Sequence, residues 1–189
     1  NKRIKLIMAY TTINKSSLHM NTKLYTGNGG TNAITGVGFQ PDFTWLKRRN
    51  SSSNHILTDA VRGNTKWLES NGNNAEQTGS DRITSFNSDG FSLGSNGNVN
   101  ANTGTFASWN WKANGTGSAN TAGSINSTVS VNTTSGFSIV KYIGNDTSGA
   151  TVGHGLGVVP KMIIVKRISG SAQHWQVYHI STGNTKSSQ

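Results

Sequence analysis

Seven carboxylates and five histidines are the side chains here that could carry acid–base or metal chemistry. Glycoside hydrolysis needs two carboxylates facing each other across a cleft. Of Asp42, Asp59, Glu69, Glu76, Asp81, Asp89 and Asp146, Asp89 precedes Gly90 and is accounted for by a turn. Asp42, Asp59 and Glu69 could meet in space, but nothing in their spacing brings them together. No elbow motif supports a nucleophilic triad. The histidines are His19, His55, His154, His174 and His179. His174 and His179 are five apart, so in a strand they face opposite sides and cannot share a ligand. There is no cysteine, hence no thiolate site and no disulfide. Gly153-His154-Gly155-Leu156-Gly157 invites comparison with a phosphate loop, which must open a helix. Here Pro160 and an apolar run follow, so the glycines read as turn geometry. The expectation is a protein without catalytic residues, metal or cofactor.

Binding chemistry is better represented. The chain has 17 Lys and Arg against 7 Asp and Glu, a formal charge of +10. Such an excess favours anionic partners or a solvated cationic surface. Lys47-Arg48-Arg49 and Lys166-Arg167 each end an apolar run and are the candidate contacts for an anionic partner. Trp109 and Trp111 share one face of a strand and form a candidate aromatic platform for sugars or bases if exposed; core packing is the competing reading.

These groups need positioning elements, and the composition says which. Hydrophobic residues make up 32% and charged residues 13%, with Asn, Ser, Thr and Gly filling the difference. Short alternating aromatic runs separate this chain from a disordered one. The segments 43–47, 105–111, 137–143 and 162–166 have strand length or strand alternation. Asp89-Gly90 and Asn28-Gly29 are hairpin-type dipeptides. The best helical candidate, 74–78, is very short. No apolar run is long enough to span a membrane. Residues 2–10 superficially suggest a signal peptide, but their apolar part is too short; Met8 is a candidate initiator.

Self-comparison reveals a repeat. Tyr25, Gly27 and Asn28 match Tyr142, Gly144 and Asn145. Gly36, Gly38 and Pro41 match Gly155, Gly157 and Pro160; Lys47 and Arg48 match Lys166 and Arg167. His55 matches His174, Asp59 falls on Tyr178, and residues 63–66 match 183–186, with small gaps near 30 and 60. Gly-x-Gly-x-x-Pro followed by Lys-Arg is too specific to arise from composition alone. Residues 113–135 carry no charge and no aromatic ring and read as a linker or an extended surface segment.

The segments 9–17, 24–28, 36–42, 61–63, 88–91 and 109–112 also carry a resemblance. They resemble a family of virion proteins of marine tailed phages (cyanophage and pelagiphage type), built from repeated β modules often described loosely as SPRY-like or concanavalin-A-like. The resemblance extends from Met8 through the second copy; around Leu18-His19-Met20 the chain departs from the aromatic-containing form of that loop. That family brings no established catalytic residues to transfer.

The expectation is therefore all-β. It comprises an N-terminal segment 1–19, a β-sandwich or jelly-roll-like module over 20–112, a polar linker 113–135, and the first half of a second module over 136–189. The expected role is a non-enzymatic structural protein of a virion, at a tail fibre, tail or capsid surface, made in the host cytoplasm. Its expected partners are other virion proteins and further copies of itself, with cell-surface polysaccharide as an anionic ligand and no membrane insertion. A carbohydrate-binding receptor module is the second reading. A nucleic-acid binder is the third and weakest, because the basic residues are dispersed.

Overall fold

A computed structural model describes residues 13–183. After a 3-10 turn at Ser16–Leu18, the chain runs through β1 (Met20–Thr26), β2 (Asn32–Thr35), β3 (Phe43–Arg48), β4 (Ile56–Asp59), β5 (Lys66–Glu69), β6 (Gln77–Thr78), β7 (Ile83–Asn87) and β8 (Gly90–Leu93). A single helical turn, α1 (Gly97–Asn100), precedes β9 (Thr105–Trp111), β10 (Ser118–Asn120), β11 (Ser127–Asn132), β12 (Phe137–Tyr142), β13 (Met162–Val165) and β14 (Gln176–His179). The protein is nearly all-β, with several antiparallel sheets, none of them closed.

The largest sheet has the order β1-β9-β3-β4-β5-β6. Its axis is β9, which pairs with β1 on one edge and β3 on the other. A second sheet has the order β2-β8-β7. Strand alternation sends every second side chain of each sheet into a shared core. That core joins Ile34, Ile83, Phe91 and Leu93 of the small sheet to Leu46, Ile56 and Trp67 of the large one, with Val99 of α1. Tyr25 stacks on Phe106 at 5.1 Å and meets the edge of Phe91 at 6.3 Å. Its hydroxyl donates to Val99 O at 2.7 Å, and burial pushes its pKa far up.

The chain crosses between the two sheets through a polar knot. Asn100 is fully buried. Its Oδ1 accepts from Asn28 N (3.0 Å) and Asn32 Nδ2 (2.9 Å). Its Nδ2 donates to Gly30 O (2.6 Å), Gly94 O (2.8 Å) and Asn28 Oδ1 (3.0 Å). Gly27 packs so tightly here that a Cβ would lie 2.2 Å from Ala101 O.

Several sequence expectations need correction. Residues 113–135, expected as a polar linker or an extended surface segment, are part of a sheet. They contain all of β10 and β11, which with β12 form the sheet β10-β11-β12, and Ser127, Val129 and Ser130 are buried. The alternation Val129-Ser130-Val131 is what builds β11. Residues 74–78 form no helix; Gln77–Thr78 is a short edge strand. Asn28-Gly29 joins two different sheets rather than the strands of one hairpin. The β7–β8 turn uses Ser88-Asp89, and Gly90 already belongs to β8, where its Cβ would lie 2.0 Å from Ile34 O. The Met8 reading, and the match of 184–186 to 64–66, lie outside the described residues.

Candidate functional site

The site begins with a hairpin that occurs twice. β3 pairs with β4 with Phe43 opposite Asp59, and β13 pairs with β14 with Met162 opposite His179. Ala60 N donates to Asp42 O at 2.8 Å, and Ile180 N donates to Lys161 O at 2.9 Å. Beyond the strands, Gly63 N returns to Asp59 O and Gly183 N to His179 O. This register corrects the sequence alignment. Asp59 corresponds to His179 rather than Tyr178, and His55 to Trp175 rather than His174. The extra residue of the second copy therefore lies in the hairpin loop, not near residue 60.

The Lys-Arg pairs share one job in both copies. Lys47 Nζ donates to Ser51 O (3.2 Å) and Ser53 O (2.7 Å), bridging its own hairpin loop. Lys166 Nζ bonds Gln173 O in the same way and reaches Asn73 O at 2.9 Å. Arg48 Nε donates to Asn50 Oδ1 at 3.1 Å, and Arg167 Nε to Ser169 O at 2.8 Å. Consecutive residues of a strand face opposite sides, so Lys47 and Arg48 do not form one ridge. Arg49 and Arg167 remain exposed.

The Gly-x-Gly segments before the hairpins also correspond. Gly36 and Gly38 have φ of 78° and 89°, Gly155 and Gly157 of 71° and 72°. All four lie in the left-handed region that glycine enters without steric cost. Their surroundings differ. The amides of Gly36 and Gly38 donate to the Asp89 carboxylate at 2.9 and 2.6 Å. Those bonds, with Lys23 as a smaller influence, hold its pKa below the usual carboxylate value. Among the described residues no carboxylate occupies the equivalent place at Gly155 and Gly157; only Leu156 N is engaged, by His154 Nδ1.

Burial separates the copies most clearly. Phe39, Thr44 and Leu46 are 4%, 0% and 0% exposed. The equivalent Val158, Ile163 and Val165 are 67%, 43% and 38% exposed. In the first copy, β9 covers the second edge of β3. In the second copy β13 pairs with β14 alone among the described residues. Next to that edge, Val158, Val159, Pro160 and Gly155 line an open apolar hollow of about 550 Å³. A partial second module leads one to expect an uncovered sheet edge and apolar face, and the run Met162-Ile163-Ile164-Val165 with its equivalence to β3 was visible in the sequence; the hollow was not.

The other candidates are committed elsewhere. Trp111 lies against Phe43 (5.4 Å, edge-on) and is stacked at 6.1 Å on Phe137 of β12. Trp109 meets Trp45 edge-to-face at 6.2 Å and is half-buried. The two tryptophans thus form part of an aromatic row on the outer face rather than a bare platform. Trp45 Nε1 donates to His55 Nδ1 at 2.9 Å, and burial, then Lys47, lowers the His55 pKa. Asp42 is buried and accepts from Ala113 N at 2.7 Å. Asp59 and Glu76 clasp Arg62, and Glu69 accepts from Asn54 Nδ2 at 2.8 Å. Thus Asp42, Asp59 and Glu69 each serve a separate structural partner. No group of three or more His, Asp or Glu suited to a metal occurs among the described residues. No described helix is long and apolar enough to cross a membrane, which says nothing of strands.

Fold and site together define an antiparallel β protein that carries one strand–turn–strand unit twice, enclosed in one copy and open in the other. Residues 15–188 match the family model described as "Domain of unknown function (DUF7483)", and the chain belongs to that family. One match spans both hairpins. No curated protein and no solved structure matches the chain.

Proposed function

We propose that the chain is a non-enzymatic structural component of a tailed-phage virion, at a tail fibre, tail or capsid surface, that works by assembly. In this reading residues 20–112 are a β-sandwich module and 136–189 the first half of a second one. The observation that carries it is the edge of β13 that no strand covers among the described residues. Its four side chains, Met162 to Val165, are each exposed by roughly a third to a half. Covering them contributes on the order of 1 kcal/mol apiece, because full burial of such side chains is worth about 1.5–3 kcal/mol. An exposed apolar strand edge is a template for pairing with another chain. The position in a virion is drawn from the sequence resemblance, which the tied-up carboxylates accompany without opposing.

Two measurements test it. Sedimentation velocity of the full chain should show association that Ile164→Lys, at the open edge, weakens at least tenfold. A stable monomer at every concentration would sink the assembly. Mass spectrometry of purified phage particles encoding this chain should find it at stoichiometric rather than trace level. Absence from the particle would sink the virion placement and leave assembly standing.

A carbohydrate-binding module is the second reading. It is favoured by the half-buried Trp45 and Trp109, paired on one face with Lys47. Cell-surface polysaccharide binding that survives Trp109→Ala would remove it.

A further inference from the structure

We propose that Asn114-Gly115, at the joint between β9 and β10, is a site of spontaneous covalent modification. Asn114 closes onto the nitrogen of Gly115 and becomes aspartate or isoaspartate, which loosens the seating of β10. The reaction needs neither assembly nor a partner.

The chain holds four Asn-Gly pairs, at Asn28, Asn71, Asn96 and Asn114. Such pairs suit this chemistry because glycine has no Cβ to hinder the approach of its nitrogen. The glycine nitrogen, having given up its proton to hydroxide, attacks the side-chain carbonyl carbon of the asparagine. A C–N bond forms, the bond from that carbon to Nδ2 breaks, and Nδ2 leaves as ammonia. Water then opens the cyclic imide. Addition at the side-chain carbonyl gives aspartate. Addition at the backbone carbonyl gives isoaspartate, whose main chain runs through the former side chain.

The fold holds three of the four pairs in place. Asn28 accepts on Oδ1 from Gly30 N (2.9 Å) and Asn100 Nδ2 (3.0 Å), and donates from Nδ2 to Thr31 O (2.8 Å). The Gly29 nitrogen is itself committed to Asn100 O at 2.8 Å. Asn71 accepts from His55 N at 3.0 Å and donates to Asn54 Oδ1 at 2.9 Å. Asn96 caps α1 by accepting from Asn98 N at 3.0 Å, and donates to Asp81 Oδ2 at 2.9 Å. Ring closure must break these bonds, which slows it by roughly fivefold for each. Asn114 is exposed, and among the described residues neither its carboxamide nor the Gly115 amide has a hydrogen-bond partner. A Cβ on Gly115 would meet nothing within 4 Å, so the turn has room for the imide.

The neighbouring anchors give the reaction its consequence. Ala113 N donates to the buried Asp42 carboxylate at 2.7 Å, and Asn114 N to the buried Ser130 hydroxyl at 2.8 Å. The chain is thus fixed up to the Asn114 nitrogen. From there residues 115–117 cross to β10, and Gly117 passes so close to β11 that a Cβ would lie 2.7 Å from Val129 O. Isoaspartate lengthens this tether by an extra backbone carbon. β10 has three residues and pairs only with β11 among the described strands. Its register against Val129, Thr128 and Ser127 therefore depends on the tether.

The test ages the full chain in mildly alkaline buffer and follows each Asn-Gly pair by peptide mapping, with isoaspartyl methyltransferase labelling to read isoaspartate. Asn114 should convert at least about tenfold faster than Asn28, Asn71 and Asn96, each of which has two or more bonds to break. In urea-unfolded chain the four rates should come together. Asn114→Gln should abolish the early label, because the larger ring closes slowly. Hydrogen exchange at 118–120 should quicken in converted protein while β3 and β9 stay unchanged. Even conversion of the four pairs, first conversion at another asparagine, or the same preference for Asn114 in urea would each overturn the site. Unchanged exchange at 118–120 after conversion would overturn its effect on β10.

Discussion

Asn100 and Asp89 show how much of this protein depends on single polar side chains. Asn100 uses both ends of its amide to tie the turn after β1 to the segment that follows β8. Without it the buried site loses five side-chain hydrogen bonds, and the half-buried Gly30 and Gly94 carbonyls lose the donor that it supplies. Asn100→Ala should therefore lower unfolding free energy by about 3 kcal/mol, an unsatisfied buried polar group costing about 1–3 kcal/mol each. Urea denaturation checks this, and a loss under 1 kcal/mol would mean that water replaces the amide. Asp89 gives a pH signature. Its folded pKa lies below the usual carboxylate value because the Gly36 and Gly38 amides favour the ionised form. A depressed folded pKa means that its contribution is complete above the unfolded value. The contribution is lost as pH falls from there through the lower folded value. Wild type should thus exceed Asp89→Asn in urea midpoint at about pH 6, with the gap closing below about pH 4. A gap that is constant down to about pH 2 would show that the carboxylate charge is irrelevant to the turn.

At the scale of the elements, the two Gly-x-Gly turns offer a matched experiment. A Cβ on Gly38 meets nothing nearer than Ser17 O at 3.8 Å, and one on Gly157 meets nothing within 4 Å. Gly38→Ala and Gly157→Ala should each destabilise by about 1 kcal/mol through backbone conformation alone. Native-state hydrogen exchange of the following hairpin reports each separately. Unequal costs would mean that only one turn is held in its left-handed form. The strands that the sequence displayed well, 43–47, 105–111, 137–143 and 162–166, are those with β-branched or aromatic residues in alternation or in runs. β11 was hidden because its two valines sit among Ser, Thr and Asn, and β5 because Lys66-Trp67-Leu68-Glu69 has no strand period of its own. Pairing partners decide both. The Lys-Arg repeat was visible, but its use as a loop clip was not, because an ammonium's carbonyl partners depend on loop path. An uncovered sheet edge in the second copy was expected from the sequence; that β13 is the strand, and how far its side chains are exposed, came from comparing burial between equivalent residues.

For the whole molecule, the net charge of +10 sets the salt dependence of assembly. Copies of a strongly cationic chain repel one another, and salt at about 0.15 M screens that repulsion beyond about 8 Å. If the apolar edge of β13 drives contact, association should strengthen between about 0.02 and 0.2 M salt. If Arg49 and Arg167 meet an anionic partner instead, binding should weaken over the same range. Sedimentation at a series of salt concentrations separates the two. The contact between the halves of the chain has a geometric consequence. Trp175 Nε1 donates to Glu69 O (3.0 Å) and Gly72 O (3.2 Å), and Gln173 N to Asn73 O (3.1 Å). The second hairpin's loop thus grips the loop after β5, and the two gripping surfaces are not equivalent. A contact of that kind, applied again from unit to unit, is head-to-tail, and unless its rotation closes a ring it advances along a screw axis. The pitch of any fibre grown from this fold would therefore be written in the angle at which Trp175 seats on a single loop.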